Sequence, residues 1–549
     1  MKKRVLSAGL IPVMLAALLA GCGQGSALNT QTTSEGTADS AESSISYAYE
    51  QELNIIDDNY RNYYEIFVAS YYDSDGDGMG DLNGVTEKLD YIQDMGFNGI
   101  WLMPIMPAPS YHKYDTTDYM NIDPDYGTLE DFQTLLDEAH KRGINIVIDY
   151  VINHSSNQHP WFLEATSYLR DLPADAEPDV TECPYVDYYH FSREQINGDY
   201  RHVPGADWYY EGVFDSSQPD LNWENEAVRE EFKAVADFWI GMGVDGFRMD
   251  AAMHYDDSNA QLNIDTLKWY NEYCLSLDPD FYMVSEVWAG ESTIATYYAS
   301  ETPSMFNFPM AGSEGNLVKT ARGTMKAAKF VNTMYEDQQT YGAVYADYID
   351  APFLTNHDQV RVANNLMSNE NDLKMAAGLL LMMNGSPFVY YGEEIGMKSG
   401  GNDNDPNKRL AMYWSETDKT GKPNNPQGAD STIKPSLPAW DEQLEDETSL
   451  LNYYKRALRL RNENPEIARG EISVVDELCE EYQAAITKTY EGSTIGIVYN
   501  TSDEEMAVSI SGTKLDAMGI RGYLTLNGEE ITLKDGTLTM PAQSICILK

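Results

Sequence analysis

Gly243-Val244-Asp245-Gly246-Phe247-Arg248-Met249-Asp250-Ala251-Ala252-Met253-His254 is a short apolar run that ends in charge. Val244, Phe247 and Met249 leave little room for a solvent-facing side, so the run reads as a strand buried on both faces. Arg248 and Asp250 stand two apart and therefore point the same way. A guanidinium beside a carboxylate favours the ionised acid, the form that can act as a nucleophile. A structural ion pair closing the strand fits the same residues equally well, so the decision lies elsewhere in the chain.

Working outward, residues 227–242 have helical character and Gly243 supplies a C-cap. The same unit occurs upstream, where helix-like 129–142 and Gly143 precede an apolar run at 144–149. Further strands are expected at 66–69, 99–103, 246–250, 282–286, 305–308, 351–355 and 388–391. Buried, nearly unalternating strands separated by helices predict a parallel sheet, and eight such units predict a closed (β/α)8 TIM barrel. In that architecture the C-terminal strand ends line the active face. Those ends read Asp149-Tyr150-Val151-Ile152-Asn153-His154, Arg248-Met249-Asp250, Ser285-Glu286-Val287-Trp288 and Asn356-His357-Asp358.

These four stretches resemble the four ordered signature regions of the α-amylase family, glycoside hydrolase family 13. Gln218-Pro219-Asp220-Leu221-Asn222 resembles the fifth region in the form used by the oligo-1,6-glucosidase subgroup. The resemblance covers nearly the whole chain after residue 60 and implies roles for individual side chains. Asp250 would be the nucleophile, Glu286 the general acid, and Asp358 the group that binds the sugar hydroxyls and helps to distort the ring. Arg248 would keep Asp250 charged, whereas Glu286, near that anion and the apolar Trp288, would have its pKa raised. His154, His357 and His254 would contact substrate, and Tyr114 would stack beneath the sugar.

Calcium is a second expectation. In Asp73-Ser74-Asp75-Gly76-Asp77-Gly78-Met79-Gly80-Asp81, acidic side chains recur around glycines that permit a tight loop, so hard oxygens can converge on one cation. An EF-hand would need a bidentate Glu at loop position twelve, where Gly84 stands. The stretch instead resembles the calcium loop after the first strand of bacterial family members, which implies Asp73, Asp75, Asp77, Asp81 and the Met79 carbonyl as ligands. A second site shared by many amylases would use Asn153, Asp220 and the His254 carbonyl.

The chain has 549 residues, 42% of them hydrophobic, enough for more than one core. Its formal charge is -51, from 37 basic and 88 acidic residues, which excludes nucleic acid and acidic surfaces as partners. Residues 1–21 read as a lipoprotein signal peptide, because Lys2, Lys3 and Arg4 precede an apolar run too short to span a bilayer. Leu19-Ala20-Gly21-Cys22 resembles the lipobox of bacterial lipoproteins, so Cys22 is the expected lipidation site. Residues 22–58, rich in Ser, Thr, Gly and acids, form the expected tether, and a lipid anchor on the outer membrane face is the expected membrane contact. The barrel is expected over 59–154 and 223–464, an inserted domain B after strand 3 over 155–222, and a C-terminal all-β sandwich over 465–549.

Met253 stands before His254 where many α-amylases carry a sugar-contacting Lys. Tyr111 stands three places before Tyr114 where the oligo-1,6-glucosidase pattern has an acid. An open cleft and an endo-acting, retaining hydrolase of starch and malto-oligosaccharides, working as a monomer, are therefore expected. An α-glucosidase, a neopullulanase-like enzyme or a 4-α-glucanotransferase are the alternatives within the family, and a surface starch-binding lipoprotein is the alternative outside catalysis.

Overall fold

The computed structural model describes residues 58–400 and 404–549. The expected signal peptide, Cys22 and nearly all of the tether lie outside the described residues. Parallel strands run in the order Phe388–Tyr390, Tyr63–Ile66, Gly99–Leu102, Asn145–Tyr150, Gly246–Met249, Tyr282–Ser285 and Ser304–Met305. Two parallel bridges, Phe306 to Ala351 and Phe353 to Phe388, complete the circuit, so the remaining stave is an irregular segment at 351–353 rather than a full strand.

The first strand begins three residues earlier than expected, at Tyr63, and residues 68–70 form a 3-10 turn. Glu65 hides the strand in the sequence, since a carboxylate argues against a buried run. Here it is 1% exposed and ion-paired to His357.

Period two fills the barrel. Tyr63 stacks on Phe388 at 4.6 Å and on Tyr282 at 5.3 Å, and Trp101 lies 5.4 Å from Phe306, making a floor of rings. One step further along the same inward faces stand Glu65, Asp149 and Arg248, and then Asp250 and Glu286. The apolar floor thus carries a charged layer at the C-terminal ends of the strands.

Helices pack outside. Leu129–Lys141 opens with a Thr128/Asp131 capping box, and Glu226–Met242 is capped by Asn225 and closed by Gly243 at φ 102, as expected of that glycine.

After Asn145–Tyr150 the chain leaves the barrel and returns on itself. Leu221 N–H donates to the Asn153 carbonyl at 2.9 Å and Ser155 N–H to the Pro219 carbonyl at 3.1 Å, pinching the neck of the insertion. Within it lie the helix Pro160–Asp171 and a small antiparallel sheet ordered Phe191–Ser192, Tyr209–Glu211, Tyr200–His202. Phe162, Tyr188, Tyr189 and Trp208 are buried, so most of the insertion's large rings make its own core. Beyond the helix Leu450–Glu463, a five-stranded and a three-stranded antiparallel sheet share an apolar interior that includes Val498, Cys546, Val508 and Leu538. Cys183, Cys274, Cys479 and Cys546 are free thiols.

Candidate active site

Arg248 is the hub of the charged layer. It is fully buried; Nη1 lies 2.9 Å from Asp149 and 2.5 Å from Asp250, and Nη2 lies 2.9 Å from Glu286. The other Glu286 oxygen accepts the Ala251 N–H at 3.0 Å. Ala251 holds φ at 47°, a left-handed conformation costly for a residue with a Cβ, and this is the backbone that turns its N–H toward Glu286.

His357 is the second hub. Nδ1 lies 2.6 Å from Glu65, and Nε2 lies 3.0 Å from Asp358 and 2.7 Å from the Tyr114 hydroxyl. Tyr114 donates to Asp149 at 2.9 Å, joining the two hubs. Arg409 then reaches Asp358 at 2.9 Å through Nη2 and the His357 carbonyl at 3.3 Å through Nε.

Five carboxyl groups (Glu65, Asp149, Asp250, Glu286, Asp358) thus face three cations (Arg248, His357, Arg409). Burial with an excess of negative charge favours proton uptake. Burial, opposed by Arg248 and reinforced by Asp250, pushes Glu286 up to about 7. Asp149 is pushed up to about 6, again first by burial. For Asp358 burial works upward, but His357 and Arg409 outweigh it and hold the acid well below the usual carboxylate range. Burial opposes charging His357, yet Asp358 and Glu65 raise it to about 9. Two acids of one site are therefore driven apart, Glu286 toward the neutral form that can donate a proton and Asp358 toward the lasting anion.

Asp250, Glu286 and Asp358 open onto one cleft of about 310 Å³, whose lining includes Tyr114, His154, Phe214, His254, Trp288 and Arg409. Trp288 is half exposed and stacks on Phe308 at 4.7 Å, so its ring is presented to the cleft on a rigid backing. His154 sits in the wall, with Nε2 2.8 Å from the Tyr114 carbonyl and 3.0 Å from Gln218. His254 binds Asp257 at 2.6 Å and packs against Phe214. His357 differs from expectation in its exposure: it is fully buried, both ring nitrogens are engaged by protein, and it reaches the cleft only through Asp358 and Tyr114.

In the loop after the first strand, Asp73, Asp75 and Asp81 bring one carboxylate oxygen each within 4.8 Å of one another. Asp77 is not one of this group, and its Oδ1 accepts the Met79 N–H at 2.7 Å. Asn153 meets Asp220 at 3.1 Å, and the Asn153 Oδ1 is buried without a hydrogen-bond partner.

Glu65, Asp149 and Arg409 are site residues to which sequence reasoning assigned no role. Asp149 was accessible to it, since it shares the period-two face of a strand whose end was already singled out. Arg409 lies in an irregular segment after the last strand, where no periodicity points.

A model of the α-amylase catalytic domain matches residues 65–470. The chain belongs to the α-amylase family. It is 38% identical over 460 residues to Alpha-amylase 3 of Dictyoglomus thermophilum, covering 82% of this chain and 84% of that one. It is 30% identical over 521 residues to a glucan 1,6-alpha-glucosidase of Streptococcus pneumoniae, covering 82% and 92%. Among solved structures, Eubacterium rectale Amy13B superposes with a TM-score of 0.88 at 45% identity, covering 91% of this chain and 97% of that one. An α-amylase from H. orenii superposes at 0.77 with 34% identity, covering 89% and 99%. The protein is thus a glycoside hydrolase of the α-amylase type.

Proposed function

We propose that the protein is an endo-acting, retaining hydrolase of α-1,4-glucosidic bonds in starch and malto-oligosaccharides. The observation that carries the reading is the placement of Asp250 and Glu286 on the two terminal nitrogens of Arg248, with Asp358 facing the same cleft. Asp250 attacks the anomeric carbon and Glu286 gives its proton to the departing glycosidic oxygen, leaving a glycosyl ester on Asp250. Glu286, now the base, takes a proton from water as water attacks the same carbon, and Asp250 is released. Two inversions give net retention. Asp358, held anionic by His357 and Arg409, binds hydroxyls of the distorted sugar and stabilises the cationic ring of the transition state.

Support for an open, endo-acting cleft comes from Tyr111, which stands where an acid would capture a chain end, and from Phe214 and Trp288, which present exposed rings at the rim. An exo-acting α-glucosidase is the second reading, favoured by Asp405 and Arg409 in the cleft lining and by the glucan 1,6-alpha-glucosidase relative. Soluble starch separates them. Early loss of viscosity with mixed oligosaccharides, all α-configured at their new reducing ends by proton NMR, is the expected result. Glucose as the sole early product overturns endo action, and β-configured products overturn retention.

The donor set of Asp73, Asp75 and Asp81 is all hard oxygen and fits a calcium ion, which when bound would brace the loop between the first strand and its helix. The partnerless Asn153 oxygen beside Asp220, whose acid is pushed up to about 8 by burial, is the chemistry a second such ion would satisfy. Lipidation at Cys22, with an extracellular location, completes the proposal. It is tested by whether Cys22→Ala moves the protein from the membrane fraction to the medium.

A further inference from the structure

Lys113 holds φ at 66°, in the left-handed region that a residue with a Cβ enters at a cost and that glycine enters freely. It is also only 5% exposed, so a long charged side chain is withheld from water at a strained backbone position. Two costs at one residue call for something that the side chain holds in place. Its ammonium lies 2.7 Å from buried Asp123 and 3.6 Å from Asp125, with the Tyr126 ring centred 5.4 Å away. Asp123 is fixed in turn, since its N–H donates to the Ile105 carbonyl at 2.8 Å and its carboxylate accepts the Ala108 N–H at 3.1 Å. Lys113 is thereby clamped to the segment that leaves the strand Gly99–Leu102.

The next residue is Tyr114. Its hydroxyl meets Asp149 at 2.9 Å and His357 at 2.7 Å, and its ring stacks on the His357 ring at 5.5 Å. Its carbonyl accepts from His154 Nε2 at 2.8 Å and from Gln218 Nε2 at 3.2 Å. The dihedrals of residue 113 aim all of this, because the Tyr114 peptide and side chain swing together about them. Relaxation of residue 113 to a right-handed or extended backbone would turn the ring, hydroxyl and carbonyl of Tyr114 away from their four partners at once.

We propose that Lys113 is a positioning residue: its ion pair with Asp123 holds the left-handed turn that delivers Tyr114 to the cleft. Lys113 itself does not line the cleft, so it acts through Tyr114. The inference rests on the glucan reading, in which Tyr114 lies beneath the sugar, and adds the device that keeps the ring there. Because Tyr114 joins the charged layer around the reacting carbon rather than gripping distant sugar units, its displacement lowers kcat more than it raises KM.

The test uses the full chain with Lys113→Ala and Lys113→Gly. Both delete the ion pair and leave Asp123 equally unpaired, but only alanine keeps the Cβ that opposes the left-handed backbone. With maltotetraose, kcat of Lys113→Ala is expected to fall about tenfold or more with KM within about twofold of wild type. Lys113→Gly is expected to keep more activity and to melt at a higher temperature than Lys113→Ala. In a Tyr114→Phe background the further loss from Lys113→Ala is expected to shrink, because the hydroxyl that Lys113 positions is already gone. A folded Lys113→Ala protein with wild-type kcat overturns the proposal, as does a glycine variant no better than the alanine one, or losses that simply multiply with that of Tyr114→Phe. If Lys113→Ala does not fold, Lys113→Gly takes its place in the same cycle, and multiplying losses overturn the proposal there too. Failure of the glucan reading shows differently, as a wild-type protein that cleaves no α-glucan; the turn is then judged by melting order, where glycine above alanine supports the clamp and equality overturns it.

Discussion

At the scale of single residues, the site works by giving similar acids different environments. Glu286 must be protonated to donate to the leaving oxygen, and its pKa near 7 places the alkaline limb of activity there. Above about pH 7 the acid form is lost, so kcat/KM is expected to fall about tenfold per unit of pH. A profile flat to pH 9 would show that another group donates the proton. Asp250→Asn and Glu286→Gln are each expected to lower turnover by several orders of magnitude, with an unchanged circular dichroism spectrum, because both roles vanish while the volume is kept. Glu65 acts one step removed. It faces His357, which also meets Asp358, Tyr114 and the edge of Trp101. With its folded value raised to about 9 above an ordinary ~6.5, charged His357 contributes stability that is fully present below ~6.5 and is lost as pH rises through about 9. Glu65→Gln removes a buried counter-charge and is expected to cost about 1–3 kcal/mol by urea unfolding at pH 7. The variant should also flatten the loss of stability between pH 7 and 9; an unaltered slope would deny the link.

At the scale of elements, the loop and strand ends show how far local sequence rules reach in this fold. The helix of residues 226–242, its Gly243 cap and the period-two placement of Arg248 and Asp250 follow from local rules, and they hold in the structure. The first strand was displaced because its decisive residue, Glu65, is stabilised by His357 almost three hundred residues away, a compensation that no local window contains. The stave at 351–353 was read as a strand on apolar content, yet it makes only isolated bridges. Within the acidic loop, the family resemblance implies Asp77 as a ligand beside Asp73, Asp75 and Asp81; the close group contains the other three, and the Asp77 carboxylate accepts the Met79 N–H. That geometry also gives a clean metal test. Asp81 caps the helix Leu82–Glu87 by accepting the Gly84 N–H at 2.7 Å, so its loss costs ~1 kcal/mol with or without an ion. Asp75 is exposed and caps no helix, its one protein contact being the Asp77 N–H that its Oδ1 accepts at 3.1 Å, so Asp75→Ala tests the ion with the helix cap left in place. Chelation is expected to lower the melting temperature of the wild type, by about 2.7 kcal/mol of binding at a hundredfold excess over Kd, and to leave Asp75→Ala nearly unaffected. Equal responses of the two proteins would place the ion elsewhere.

At the scale of the whole molecule, the charge of -51 has to be tolerated by everything described above. Its internal partner groups are paired at close range in the barrel mouth, where water is excluded and salt screens weakly. The remaining acids are spread over the surface, and their mutual repulsion is felt in the compact state more than in the unfolded chain, because folding brings them closer together. Those two populations respond unequally to ionic strength. Raising salt from about 0.01 M to about 1 M shortens the screening length from ~30 Å to ~3 Å, which removes surface repulsion and barely touches the buried network. The melting temperature is therefore expected to rise with sodium chloride by at least about 2 °C, while the pH of the alkaline activity limb stays in place. A melting temperature that falls with salt would mean that exposed attractive pairs, such as Arg142 with Asp90 and Lys455 with Asp94, outweigh the repulsion. A limb that shifts by a full unit would mean that the surface field, rather than Arg248, Asp250 and burial, sets the proton affinity of Glu286.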